Sequence, residues 1–133
     1  MRLVLCCGVF DLLHVAHVRH LKQAASHGDA LVVGVTRDKG VNKRGRPIIP
    51  ENERLEMVKA LACVHDAALC DDSIQALNRW KPRLYCKGAD YHKKGLLDAE
   101  IEYCRENNVN IFFTDENPQT TSKIVEAIQC VSA

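Results

Sequence analysis

Leu3-Val4-Leu5-Cys6-Cys7-Gly8-Val9-Phe10-Asp11-Leu12-Leu13-His14-Val15-Ala16-His17 sets the architecture of the chain. No polar residue interrupts Leu3 to Cys7, which reads as a short strand covered on both faces, because a strand buried on one side alone alternates. Gly8 breaks the run and frees the backbone to turn. From Val15 the period lengthens: Val15, Val18, Leu21 and Ala25 share a helical face, while His20, Lys22, Gln23 and Ser26 point elsewhere. Strand, glycine turn and helix start make the first unit of a doubly wound α/β domain, whose ligands sit at the carboxyl ends of strands. Free N–H groups at the helix start favour an anion there. His14 and His17 share one face at that mouth. Their imidazoles are placed to donate to a phosphate and to the charge that grows on its bridging oxygen.

The chain has 133 residues, room for one domain over 1–133 with its own core. Hydrophobic residues make up 47% and the net charge is +1, so no bulk field draws nucleic acid or an anionic membrane. No apolar run approaches the roughly 20 residues of a membrane span, and no secretory segment precedes the first strand. Seven cysteines are present, an odd number, with Cys6 and Cys7 adjacent and no CxxC pair. The spacing of zinc modules is therefore missing, and no residues are assigned to a metal. Thiols inside apolar runs behave as small hydrophobes, so a reduced core role and a cytoplasmic location are expected.

The rest of the chain repeats the first unit. His27-Gly28-Asp29 ends the first helix, with Gly28 suited to the C′ position. Leu31 to Val35 is the second buried strand, which implies a right-handed crossover and a parallel pair. Thr36 to Pro47 is a polar loop with five basic residues and one acid. Such a run is ordinarily solvated, but its place after a strand favours a phosphate-facing role. Pro50 to Glu53 opens a helix with Leu55, Val58, Leu61 and Ala62 inward. Arg54 opposes the dipole in its first turns, so it meets either an anionic partner or solvent. Val64 to Leu69 reads as a weak strand, with Asp66 marking it as short or near an edge. Asp72-Ser73 caps a helix ending at Trp80, and Arg83 to Cys86 is the fourth strand. Gly95 to Glu106 is helical with Leu97, Ile101 and Cys104 inward, and Val109 to Phe113 is the fifth strand. Thr120-Thr121-Ser122 starts the last helix, with Ile124, Ala127 and Ile128 buried. Its hydroxyls suit an N-cap, worth about 1 kcal/mol, or a phosphate. The order βαβαβαβαβα predicts a single doubly wound domain with a five-stranded parallel sheet flanked by helices.

Four blocks of this sequence resemble one family. Gly8-Val9-Phe10-Asp11 with His14-Val15-Ala16-His17 is similar to the G-x-F-D-x-x-H-x-G-H element of cytidylyltransferase-like nucleotidyltransferases. Lys43-Arg44-Gly45-Arg46-Pro47 with Glu53-Arg54, Lys87-Gly88-Ala89-Asp90-Tyr91, and Thr120-Thr121-Ser122-Lys123-Ile124 match further blocks in the family's order. The block after the fourth strand is most similar to the heptose 1-phosphate adenylyltransferase domain. Glycerol-3-phosphate cytidylyltransferases resemble it less there.

The resemblance implies a Rossmann-like fold and transfer of a nucleoside monophosphate from ATP, or CTP, to a small phosphorylated acceptor. Heptose 1-phosphate is favoured as that acceptor, glycerol 3-phosphate is the alternative, and pyrophosphate is released. A nucleotide-binding module that has lost turnover is the rival reading. Because the attacking phosphate is already an anion, such chemistry needs positioning and charge neutralisation more than a base. By resemblance His14, His17 and Lys43 are catalytic, with Lys39 or Arg44 as alternatives to Lys43. Gly8, Val9, Phe10, Lys87, Asp90, Thr120, Thr121 and Ser122 join the histidines at the nucleotide, although Asp90 also suits a turn cap. Asp11, Lys43, Arg46 and Lys87 face the acceptor. Mg²⁺ accompanies the nucleotide, held mainly by phosphates and water, and a homodimer is expected. His20 diverges from His14 by roughly 240° around a helix, which argues against a three-histidine metal site. Ala16 stands where the family has glycine, and Asn117-Pro118-Gln119 precedes the last motif where relatives often carry one.

Overall fold

Five apolar runs pair as parallel strands. The computed structural model describes residues 1–43, 45–91, 95–115, 117 and 119–132, so Arg44 and Pro118 of the motifs above lie outside the described residues. The strands β1 (Leu3–Gly8), β2 (Ala30–Thr36), β3 (Asp66–Cys70), β4 (Leu84–Lys87) and β5 (Asn110–Phe113) form one sheet in the order β3-β2-β1-β4-β5. Every neighbouring pair is parallel. The helices are α1 (Val15–Ala25), α2 (Glu51–Lys59), α3 (Ser73–Trp80), α4 (Asp98–Glu106) and α5 (Thr121–Ser132). The chain runs outward from β1 to β3, returns, and continues on the other side through β4 and β5. The direction of winding reverses beside β1, and the carboxyl ends of β1 and β4 flank the crevice this opens.

The sheet carries a hydrophobic layer on each face. Val4, Cys6, Val33, Val35 and Cys86 pack with Leu21 and Ala24 of α1 and Val58 of α2. Leu5, Val32, Cys70 and Tyr85 pack with Ala76 and Leu77 of α3 and Cys104 of α4. Leu5, Leu21, Leu31 and Leu77 are fully buried, each contributing about 1.5–3 kcal/mol. The expected edge position of β3 holds, with its start shifted from Val64 to Asp66. Asp72 caps α3 by accepting the Gln75 N–H at 2.8 Å. Among the described residues no helix is long and apolar enough to cross a membrane.

Several expected faces are corrected. On α1 the fully buried residues are Leu21 and Ala24, while Val15 is exposed. On α2 they are Arg54 and Val58; Leu61 and Ala62 fall beyond its end. The fourth helix starts at Asp98 and turns Glu100 and Cys104 inward, leaving Leu97 and Ile101 exposed. A carboxylate takes the inward position because Tyr85 and Lys87 wait there as partners. In α5 the residues from Glu126 to Val131 are exposed, Ala127 and Ile128 included, against the expected inward face. Gly28 is not a left-handed C′ residue: Ser26 is the C-cap, and a methyl at Gly28 would meet Val4 Cγ2 at 2.6 Å and the Arg2 carbonyl oxygen at 2.7 Å. The cysteines follow the core expectation at Cys6, Cys70, Cys86 and Cys104, whereas Cys130 is exposed.

Candidate active site

The turn after β1 is tight, and its left-handed residues are not glycines. Phe10 and Leu12 have φ of 55° and 51°, each costing about 1–2 kcal/mol for an L-residue. Gly8 serves space instead, since a Cβ on it would stand 3.0 Å from the Phe10 ring. A polar clamp holds the turn. The buried Asp11 carboxylate accepts the N–H groups of Ile48 and Ile49 at 2.8 and 2.9 Å, with the Arg46 guanidinium 3.9 Å away. Arg54, 1% exposed, donates to the carbonyls of Val9 at 2.6 Å, Thr36 at 2.8 Å and Ile49 at 2.9 Å, and to Asp38 at 2.7 Å. Of the two readings of Arg54, the anionic partner is the one observed. Asp11 and Arg46, expected at the acceptor, are tied into this clamp, while Lys39 pairs with Asp71 at 3.2 Å.

The clamped turn delivers the two histidines. His14 is the N-cap of α1: its Nδ1 accepts the Ala16 N–H at 3.2 Å, and His17 Nδ1 accepts the His14 N–H at 3.2 Å. Both Nδ1 atoms act as acceptors, so each neutral ring carries its proton on Nε2. The rings stack with centroids 3.9 Å apart, and Phe10 meets His17 edge-on at 5.4 Å. From His14 Nε2 the bond continues to Thr121 Oγ1 at 3.2 Å, and Thr121 donates to the Asp11 carbonyl at 2.8 Å. Burial lowers the His14 pKa. Burial, followed by the neighbouring His14 and His20, lowers that of His17 to about 4, against a smaller opposing pull from Asp11. At neutral pH both rings are uncharged; the Nε2–H of His14 is taken by Thr121, and that of His17 remains as a donor.

A cleft of about 990 Å³ opens over these rings, walled by the first turns of α1, the residues just after β4, and Thr114, Asp115, Asn117 and Gln119 to Thr121. Of the expected site residues, His14, His17, Asp90, Thr120 and Thr121 line it. Lys43 stands at its margin, donating to Ser122 Oγ at 2.8 Å and so tying the basic loop to the start of α5. Lys87 does not line the cleft. Its ammonium, 8% exposed with its residue, lies 3.5 Å from Glu100, 3.3 Å from the Tyr85 hydroxyl and 4.0 Å from the Tyr91 ring centroid. Glu100 also accepts from the Tyr85 hydroxyl and the Leu97 N–H, and burial first, then Cys7 and this carboxylate, raise the Tyr85 pKa.

Sequence reasoning passed over other residues of the cleft. His20 Nδ1 meets Thr114 Oγ1 at 2.7 Å, and Gln23 accepts the Asp115 N–H at 3.0 Å. Burial lowers the His20 pKa, with Asp90 opposing and Lys87 adding to it. Polar residues at every third position from His17, namely His20 and Gln23, were the available signal. A smaller apolar-lined groove on α5, with Ile124 and Val131 in its walls, carries none of this polar apparatus.

A parallel sheet with its switch point beside β1 and paired imidazole donors over a helix start define a nucleotide-binding α/β domain built to hold phosphates. The pattern of the cytidylyltransferase-like family matches residues 5–127, and the chain belongs to that family of nucleotidyltransferases. It is 35% identical to the bifunctional protein HldE of Citrifermentans bemidjiense over 96% of this chain, spanning 27% of that relative's length. It is 33% identical to the FAD synthase of Methanocella arvoryzae over 94% of this chain and 93% of that one. The crystal structure of the lipopolysaccharide core biosynthesis protein from Thermoplasma volcanium GSS1 superposes with a TM-score of 0.76 at 32% identity, covering 88% of this chain and 98% of that one.

Proposed function

We propose that the chain transfers the adenylyl group of ATP to the phosphate of heptose 1-phosphate. An acceptor phosphate oxygen bonds to the α-phosphorus of ATP, the bond from that phosphorus to the α–β bridging oxygen breaks, and pyrophosphate leaves. The observation that carries this reading is the bonded set His17–His14–Thr121 at the mouth of α1. The neutral Nε2–H donor of His17 and the start of α5, to which His14 is tied through Thr121, face the same space, suited to the charge that gathers on a departing pyrophosphate. Lys43, held at that margin by Ser122, supplies a cation. Asp90 and Asp115 are the carboxylates of the cleft wall, too few for an all-protein Mg²⁺ cage but suited to an ion that arrives on the triphosphate. When bound, that Mg²⁺ neutralises phosphate charge.

The lining favours a sugar phosphate. Apart from Ala16 and Ala89 it consists of glycine, histidines, and polar or charged side chains, which suit hydroxyl groups better than a flavin ring. A second reading, adenylylation of flavin mononucleotide, is favoured by the match to a FAD synthase over nearly its whole length. The test is pyrophosphate release from ATP and from CTP with heptose 1-phosphate, flavin mononucleotide and glycerol 3-phosphate. Turnover confined to ATP with heptose 1-phosphate supports the proposal, and turnover with the flavin alone transfers it to the second reading. Silence with every pair, from folded protein that binds ATP, overturns both in favour of a binding module. A homodimer belongs to the same proposal, and sedimentation equilibrium reads it directly.

A further inference from the structure

Cys6 and Cys86 are register partners on the adjacent parallel strands β1 and β4. Both side chains enter the layer beneath α1, where neither exceeds 1% exposure. His20 reaches the same place from the helix above. The two Sγ atoms and one imidazole nitrogen of His20 all lie within 4.8 Å of one another. The Thr114 hydroxyl engages His20 Nδ1, which leaves Nε2 for another partner. Two cysteines packed as small hydrophobes explain the burial of the thiols, but not the imidazole brought over them.

The geometry points to a zinc site formed by Cys6, Cys86 and His20. Sulfur with imidazole selects a soft or borderline ion such as Zn²⁺ over Mg²⁺. On binding, two S–Zn bonds and one N–Zn bond form and the two thiol protons pass to solvent. One Zn²⁺ with two thiolates is neutral overall, which suits a buried position. In tetrahedral zinc sites neighbouring ligand atoms stand about 3.5–3.8 Å apart, so closing from within 4.8 Å asks about 1 Å of side-chain movement. Thr114 occupies the outer position that holds a ligating imidazole in one tautomer. Because His20 also lines the cleft, the fourth coordination position opens toward it. The three ligands come from three separate segments, so no CxxC spacing announces them.

The test uses the full chain, reduced and metal-free, titrated with Co²⁺ and then with Zn²⁺. One equivalent of Co²⁺ is expected to give a thiolate-to-cobalt charge-transfer band that Zn²⁺ abolishes. Cys6→Ala and Cys86→Ala each remove the band, whereas Cys130→Ser keeps it. Thr114→Ala lowers Zn²⁺ affinity about 10–100-fold, as loss of an outer partner does. Circular dichroism checks folding; if a core cysteine variant fails to fold, His20→Asn, at a partly buried position, takes its place and also abolishes the band. A folded wild-type chain without the band at one equivalent overturns the proposal. So does a band that survives His20→Asn or either folded cysteine variant.

Discussion

At the scale of single residues, the two imidazoles act as caps and as donors at once. His14 and His17 hold their own helix start through Nδ1; the Nε2–H of His14 goes to Thr121, and that of His17 is left for a ligand. Replacing His17 by Ala is expected to lower kcat about 10²–10³-fold, the range for losing one transition-state donor; an unchanged kcat in the pyrophosphate assay would reject that role. Acidity gives a second reading of the same residue. With its folded pKa near 4 and its ordinary value 6.5, His17 takes up a proton more readily in the unfolded chain. Its contribution to stability is therefore complete above about pH 6.5 and lost as pH falls toward 4. The urea midpoint should decline through that window, and less steeply in His17→Asn. The spacing of His14 and His17 was legible in the sequence. Their tautomers were not, because these follow from bonds to particular backbone N–H groups.

Among the elements, the buried charges decide more than the apolar periodicity. Arg54 joins the turn after β1, the end of β2 and the entry to α2 through four acceptors. Arg54→Ala is expected to destabilise the fold by about 3–5 kcal/mol, the range for breaking a buried charged network. Arg54→Lys should recover little, since an ammonium lacks the planar fork that reaches several carbonyls; equal urea midpoints for the lysine variant and the wild type would contradict this. Glu100 shows how a helical phase is misread. Counting apolar residues put Leu97 and Ile101 inward, yet the inward carboxylate binds Tyr85, Lys87 and the backbone at Leu97. A sequence shows the charge but not the partner that makes its burial affordable. Strands β1 and β2 were legible because strands covered on both faces are continuously apolar.

In the whole molecule, the cleft is assembled from opposite ends of the chain. Thr121 bonds both to His14 and to the Asp11 carbonyl, while the later part of its helix is exposed. Thr121→Val is thus expected to reduce kcat/KM about tenfold, in line with the loss of a hydrogen bond worth up to 1.5 kcal/mol, with the urea midpoint nearly unmoved. A matching fall in both would make Thr121 a structural tie only. Convergence of the motif blocks was legible in their order. Withdrawal of Lys87 into a pair with Glu100 was not, since it depends on packing between β4 and α4.

The central place of β1 bears also on how the molecule is made. Its first edge finds β2 early in synthesis, but the other stays bare until β4, 80 residues later in register, has left the ribosome. A naked central strand of aliphatic residues and cysteines invites pairing with a neighbouring nascent chain. Slow translation before residue 84 should thus lower the soluble yield of this protein more than slow translation after it.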